Sequence, residues 1–223
     1  DTPERFSVLG KSFKYGDVER PLFTYEANKA DVAVILRSIR EAKIKSNFVT
    51  FGIHSHEIQY PDKPDTDASP GDFLRGVAHQ VIDAGADAFV GSGVHVLRGI
   101  EIYKGRPIYY GLGEFFRQMD INRPTSQGPQ RGDVNSDPKK YESIIAVNRY
   151  VGGQLSEVRL HPVQLGAPLR MALRGLPRVA GPEIAQKILK RLQDESAQYG
   201  TQISIENNIG IIRVAAAKPT KNQ

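Results

Sequence analysis

Two short stretches carry most of the chemistry available to this chain. His54-Ser55-His56-Glu57 follows Phe48-Val49-Thr50-Phe51-Gly52-Ile53, an apolar run that reads as a β-strand. Imidazoles two apart on an extended chain point to the same face. Neutral imidazole is the commonest metal ligand, and a nearby glutamate serves as ligand or general base. A polar loop whose histidines bond backbone or water has the same composition. Spacing alone does not separate the two readings, because it matches no defined ligand motif. The second stretch is Gly91-Ser92-Gly93-Val94-His95, a histidine just after two glycines at a strand end. Loops in that position are held by a rigid sheet, so sites tend to be built there.

The elements that position these residues follow from periodicity. Lys29–Ser46 is predicted helical, with Val32, Ile35, Leu36, Ile39 and Ala42 on one face. A second helix starts at Ser69-Pro70-Gly71-Asp72, with Ser69 as N-cap and Pro70 as first helical residue, and buries Phe73, Val77, Val81 and Ile82 before Gly85 ends it. His79 on this helix is read as structural. Ala88–Val90 is a strand and Gly91-Ser92-Gly93 a turn. Ile100–Tyr103 and Ile108–Tyr110 form a hairpin around Lys104-Gly105-Arg106. Gly111–Phe116 places small residues beside the site. Arg117–Lys140 reads as a mobile loop, a lid or a disordered segment.

Downstream, Ser143–Arg149 and Gln154–Leu160 form a hairpin that His161-Pro162 ends, with His161 structural. Leu165–Ala180 is irregular. Arg159, Arg170, Arg174 and Arg178 either bind carboxylates or phosphates or form a solvated basic surface. Pro182–Tyr199 is a helix, and Gln202–Ile205 and Ile209–Val214 a last hairpin. Helices alternating with strands predict an α/β fold. Residues 1–28 read as linker or loop, 29–214 as a single domain, and 215–223 as a frayed tail.

Composition narrows the function. The 223 residues, 39% hydrophobic and 25% charged, suffice for a globular core. The absence of cysteine excludes disulfides, thiolate metal sites and a cysteine nucleophile. The net charge of +5 suits an acidic partner or simple solubility. Scattered Lys and Arg, with no aromatic-rich RNA-binding pattern, argue against a nucleic-acid partner. The chain opens at Asp1 on a polar, irregular stretch and is read as the later part of a longer protein.

GADAFVGSGVHVLRGIEIYKGRPIYYGLGEF, residues 85–115, resembles the central motif of the bacterial CapA-type, poly-γ-glutamate capsule-synthesis family. That motif runs roughly GAD-x-x-V-G-H-G/H-P-H-V-L-x-G-I-E-x-Y-x-G-K-P-I-x-Y-S-L-G-N-F. HSHE resembles the family's histidine-containing strand end, and YESIIAVNRY, LHPVQLG and QYGTQISIENNIGIIRV resemble its C-terminal part. The resemblance implies a layered α-β-β-α sandwich of the calcineurin-like metallophosphoesterase type, incomplete at the N-terminus. It implies a divalent metal (Mn, Zn, Fe or Mg) with His54 and His95 as ligands, and catalytic roles for His54, His56 and Glu57. Ser92, Gly93, Glu114 and Arg98 would bind substrate. Implied partners are poly-γ-glutamate or another anionic polymer, the capsule synthesis machinery and a preceding N-terminal segment, at the cell envelope. The chain departs from the family in several places: the loop histidine falls on Ser92, the second histidine of the double-histidine variant on Gly93, its proline on Val94, and the serine and asparagine of S-L-G-N-F on Gly111 and Glu114. Ser92 is a poor ligand beside imidazole, so either His56 or Glu114 compensates or the protein is a non-catalytic polymer-binding member.

Overall fold

The computed structural model describes residues 21–60, 68–117, 137–166 and 173–214, together with Gly16 and four short strands. Expectations for residues 61–67, most of 118–136, Arg170 and the tail lie outside the described residues. The chain opens with an antiparallel pair, β1 (Arg5–Val8) and β2 (Lys11–Lys14), inside the stretch expected to be linker. Its alternation of apolar and polar residues is short, and the pairing supplies what local pattern did not.

α1 (Lys29–Lys45) starts where the Asn28 side chain accepts hydrogen bonds from the Ala30 and Asp31 N–H groups. Lys43 and Lys45 sit in its last turn, where cations suit the helix dipole. β3 (Thr50–Ser55) follows, then α2 (Asp72–Asp83), β4 (Ala88–Gly93), β5 (Ile100–Tyr103) and β6 (Arg106–Tyr109). These strands make a sheet in the order β3-β4-β6-β5, with β3, β4 and β6 parallel and β5 antiparallel to β6. Lys104 and Gly105 both take positive φ (49° and 73°), as a two-residue turn between strands requires.

α1 and α2 cover one face of this sheet. Leu74, Val77, Ala78, Val81 and Ile82 of α2 pack with Ile39 of α1 and with Phe89, Ile108 and Tyr110. Each aliphatic side chain so buried contributes about 1.5–3 kcal/mol. Asp87, just before β4, is buried and draws together Lys43 (2.7 Å), Arg106 (2.5 Å) and the Val49 N–H (2.8 Å). The aspartate of the GAD motif therefore ties α1, β3 and β6 together at the end of the sheet remote from the histidines.

A short pair, β7 (Pro124–Thr125) and β8 (Gly128–Pro129), precedes a second sheet. The second sheet contains β9 (Glu142–Val151), β10 (Gln154–Gln164), β11 (Arg178–Val179), β12 (Ser204–Glu206) and β13 (Ile209–Arg213), with α3 (Pro182–Ala197) between β11 and β12. β9 runs along one side of β10, and β13 and β11 share its other side. Leu155, Val158, Leu160 and Ile212 form one core with Ile188, Leu189 and Leu192 of α3 and with Leu97, Ile100 and Tyr109 of the first sheet. Ile145, Val147 and Val151, pointing the other way from β9, are exposed. The fold is mixed α/β, with two sheets and three α-helices among the described residues. None of these helices is long and apolar enough to cross a membrane.

Three local expectations are corrected. Gly91-Ser92-Gly93 is not a turn but the last half of β4, paired with Ile53, His54 and Ser55. Its glycines serve close approach: a Cβ on Gly91 would lie 2.7 Å from the Tyr110 carbonyl oxygen. α2 begins at Asp72, with Gly71 rather than Ser69 at the N-cap. The Ile58–Pro70 bridge and the Gly71 N–H bond to the Glu57 carbonyl hold the preceding residues extended. β10 runs through His161-Pro162 to Gln164. The Ile144 N–H points to the Leu112 carbonyl, away from β10, so its partner Pro162 is in a pair without mutual hydrogen bonds. The missing N–H of Pro162 would face the gap between β13 and β11, where Ala180 donates to the Pro162 carbonyl. The β9–β10 ladder therefore loses no bond; the one forgone is the return bond to the Ala180 carbonyl, beyond the end of β11.

Candidate functional site

β3 and β4 end side by side, with His54 in register with Ser92 and Ser55 with Gly93. This is the C-terminal end of a parallel sheet, where helix-flanked sheets usually bind ligands. Gly93 lets the strands finish so close together. Its φ is +101°, and a Cβ there would lie 2.9 Å from the Ser55 carbonyl oxygen. The β4 chain then releases His95 beside the end of β3.

The histidines converge. His54 Nε2 and His56 Nε2 are 3.1 Å apart, and the His56 and His95 ring centroids are 5.5 Å apart. His95 Nδ1 lies 2.5 Å from a Glu114 carboxylate oxygen. Arg117 binds both oxygens of that carboxylate, at 3.0 and 2.9 Å. The Ser92 hydroxyl donates to the Ile53 carbonyl (3.1 Å) and lies 3.3 Å from His54 Nδ1.

Ser55 points to the opposite face of β3 from His54 and is buried. Its hydroxyl donates to the Glu57 carboxylate at 2.6 Å. That bond holds the Glu57 carboxyl below its ordinary value, against the opposing effect of burial. Glu57 therefore remains a carboxylate, bonded to Ser55 rather than to the imidazoles. Arg98 lies behind the site, fully buried, and donates to the Glu57 carbonyl at 2.9 Å. Gly93 and Arg98, expected to touch substrate, thus act in this structure as parts of the scaffold. Ser92 and Glu114 reach the histidines themselves.

Sequence reasoning passed over Arg117, which it assigned to the start of a mobile loop. The side chain is buried and its guanidinium lies over the Tyr141 ring (5.6 Å), while the Arg117 backbone N–H donates to the Gly175 carbonyl. The only available signal was an acid and a base three apart, Glu114 and Arg117, a pattern too common to single out. Tyr25 was also passed over. Its hydroxyl donates to the Ile58 carbonyl and its N–H to Asp72, clamping the loop after His56 from outside.

The donor set can be tested against a metal ion. Two bonds of about 2.1 Å at about 90–109° span about 3.0–3.4 Å. The Nε2–Nε2 separation of 3.1 Å matches that span, so His54 and His56 suit a pair of ligands to one ion. Among the described residues, no three His, Asp or Glu side chains are gathered closely enough to hold an ion alone. These two imidazoles are half a coordination shell.

The family described as Bacterial capsule synthesis protein PGA_cap matches residues 10–119, a span that includes every histidine of the site together with Ser92 and Glu114. Across these residues the chain belongs to the PGA_cap family. Its PGA_cap relatives include the PGA biosynthesis protein CapA of Bacillus subtilis, 40% identical over 86 residues (39% of this chain, 21% of that one). The capsule biosynthesis protein CapA of Bacillus anthracis is 36% identical over 86 residues (37% and 19%). The uncharacterized protein y4sH of Sinorhizobium fredii is 39% identical over 244 residues, which is 96% of this chain and 51% of y4sH. The chain thus spans about half the length of y4sH.

Proposed function

We propose that this chain contributes part of a metal-dependent hydrolase site to a protein of capsule or poly-γ-glutamate synthesis acting at the cell envelope. The observation that carries the reading is the pair of Nε2 atoms of His54 and His56, 3.1 Å apart at the C-terminal end of the parallel sheet, with His95 beside them. The names of the Bacillus relatives support the biological setting. The two-sheet arrangement, with α1 and α2 on one face, suits the layered metallophosphoesterase architecture.

His54 and His56 would hold the ion, with His95 adjacent, and the longer polypeptide would supply the remaining ligands. A bound divalent ion would polarise a phosphoryl or γ-glutamyl carbonyl oxygen and lower the pKa of water. The residues of this chain have separate tasks. Ser92 and Glu114 fix two of the rings. Glu57, kept ionised by Ser55, is a proton acceptor at the edge of the site. Arg98 keeps the loop that carries His56 and Glu57 against the sheet.

Zn²⁺ and Mn²⁺ titration of the chain by calorimetry tests this. Saturable binding near one ion per chain, lost in His54→Ala and His56→Ala, is the expected result. No binding in the chain or in its full-length parent would sink the metal-centred reading. It would leave a polymer-binding role, for which the net charge of +5 predicts affinity for poly-γ-glutamate that falls with salt.

A further inference from the structure

At Ser92 and Glu114 this chain departs from the motif it resembles, and both side chains sit on the same ring nitrogen of a site histidine. Glu114 takes Nδ1 of His95, and Ser92 lies against Nδ1 of His54. A carboxylate only accepts, so the His95 nitrogen facing it must carry a proton. The Ser92 hydroxyl has one proton and spends it on the Ile53 carbonyl. Toward His54 it can only accept, which puts a proton on that Nδ1 too. A neutral imidazole protonated at Nδ1 has its lone pair at Nε2. In both rings Nε2 becomes the acceptor, and in His54 it lies 3.1 Å from His56 Nε2, which donates to it while no ion is bound.

We propose that Glu114 and Ser92 are positioning residues that lock His95 and His54 in the Nδ1–H tautomer, making Nε2 of each the atom that binds a metal or takes a proton. Neither residue replaces a lost ligand. Ser92 orients a proposed ligand and Glu114 the histidine beside it, as carboxylates and carbonyls behind metal-bound histidines commonly do. Arg117 completes the device. It grips both oxygens of Glu114 while its own backbone is fixed to Gly175, so Glu114 is held from a segment beside the second sheet. The metal-affinity part of this inference rests on the proposed hydrolase site, and the tautomer part does not.

The two parts separate in one experiment. Long-range ¹H–¹⁵N correlation spectra of ¹⁵N-histidine-labelled protein, taken in EDTA at a pH where the rings are neutral, report the tautomer without any metal. Free histidine favours the Nε2–H form, so Nδ1–H signals from His54 and His95 are diagnostic. Glu114→Ala should return His95 to the Nε2–H form, and Ser92→Ala should do the same for His54. Glu114→Gln, which keeps an acceptor oxygen, should preserve the Nδ1–H form. Wild-type His95 in the Nε2–H form overturns the proposal, whether or not the alanine variants fold. So does a His95 tautomer indifferent to Glu114→Ala. Zn²⁺ titration of the same samples gives the second part, a loss of about tenfold or more in affinity for Ser92→Ala, whose partner His54 is one of the two proposed ligands. Correct tautomers without Zn²⁺ binding would overturn the hydrolase reading and leave the positioning roles standing.

Discussion

Two histidine–glutamate pairs stand among the described residues, and their surroundings separate them. His79 Nε2 lies 2.9 Å from Glu101, and His95 Nδ1 lies 2.5 Å from Glu114. Glu101 is buried and also takes Arg75 (3.0 Å) and the Tyr110 hydroxyl (2.6 Å), while the His79 ring is stacked on Tyr103 at 3.8 Å. The outer nitrogen of His79 is used up inside the fold, and its ring face is covered. His95 spends its inner nitrogen instead. It is 40% exposed at a strand end, next to His56. A histidine–carboxylate pair is thus structural or chemical according to which nitrogen it consumes and what faces the other.

The contrast can be broken, and the largest effect is expected at the structural pair. Glu101→Ala should cost about 2–3 kcal/mol, because Arg75, His79 and Tyr110 lose a shared buried partner. Urea denaturation measures this, and Zn²⁺ affinity should stay unchanged. The Glu101 carboxyl is held below its ordinary value of 4.5; burial opposes ionisation, but the bonds from Arg75, Tyr110 and His79 outweigh it. A carboxylate with a lowered folded pKa stabilises above its unfolded value, and that stabilisation disappears as pH falls through the folded value. Stability should therefore decline below about pH 4.5 more steeply in the wild type than in Glu101→Gln.

Gly91→Ala comes next. Its Cβ would meet the Tyr110 backbone carbonyl, at a cost of about 1–3 kcal/mol in thermal or urea unfolding. His56→Ala should reverse the pattern. Its fold stability should move by less than about 0.5 kcal/mol, while Zn²⁺ affinity falls at least about tenfold. A loss of stability with unchanged affinity would make the ring beside His95 as structural as His79. The smallest effect is expected at Val147→Thr, on the exposed face of β9, within about 0.5 kcal/mol by urea unfolding and with no change in Zn²⁺ binding.

Much of this was readable in advance. The period of α1 and α3, the Lys104-Gly105 turn and the end of β3 at His54-Ser55-His56 follow from local pattern, since 3.6- and 2-residue spacings and positive-φ turns are properties of neighbouring residues. The same spacing set His54 and His56 on one face before any fold was known. Composition alone excluded cysteine chemistry.

What the sequence left open depends on approach across distance. Gly91-Ser92-Gly93 had the composition of a turn, and only the backbones of Tyr110 and Ser55 pressing on those glycines kept it a strand. Pro162 looked like a stop, until its missing N–H fell on the side of β10 away from β9 and left that long ladder intact. The histidines were the deeper case. Local pattern set His79 on a helix apart from His54 and His95 at strand ends, but not which ring nitrogen each would spend. Ser92, Tyr103, Glu101 and Glu114 meet them only because the sheet, α2 and the second core bring those side chains there, and that meeting decides which ring nitrogen is left to do chemistry.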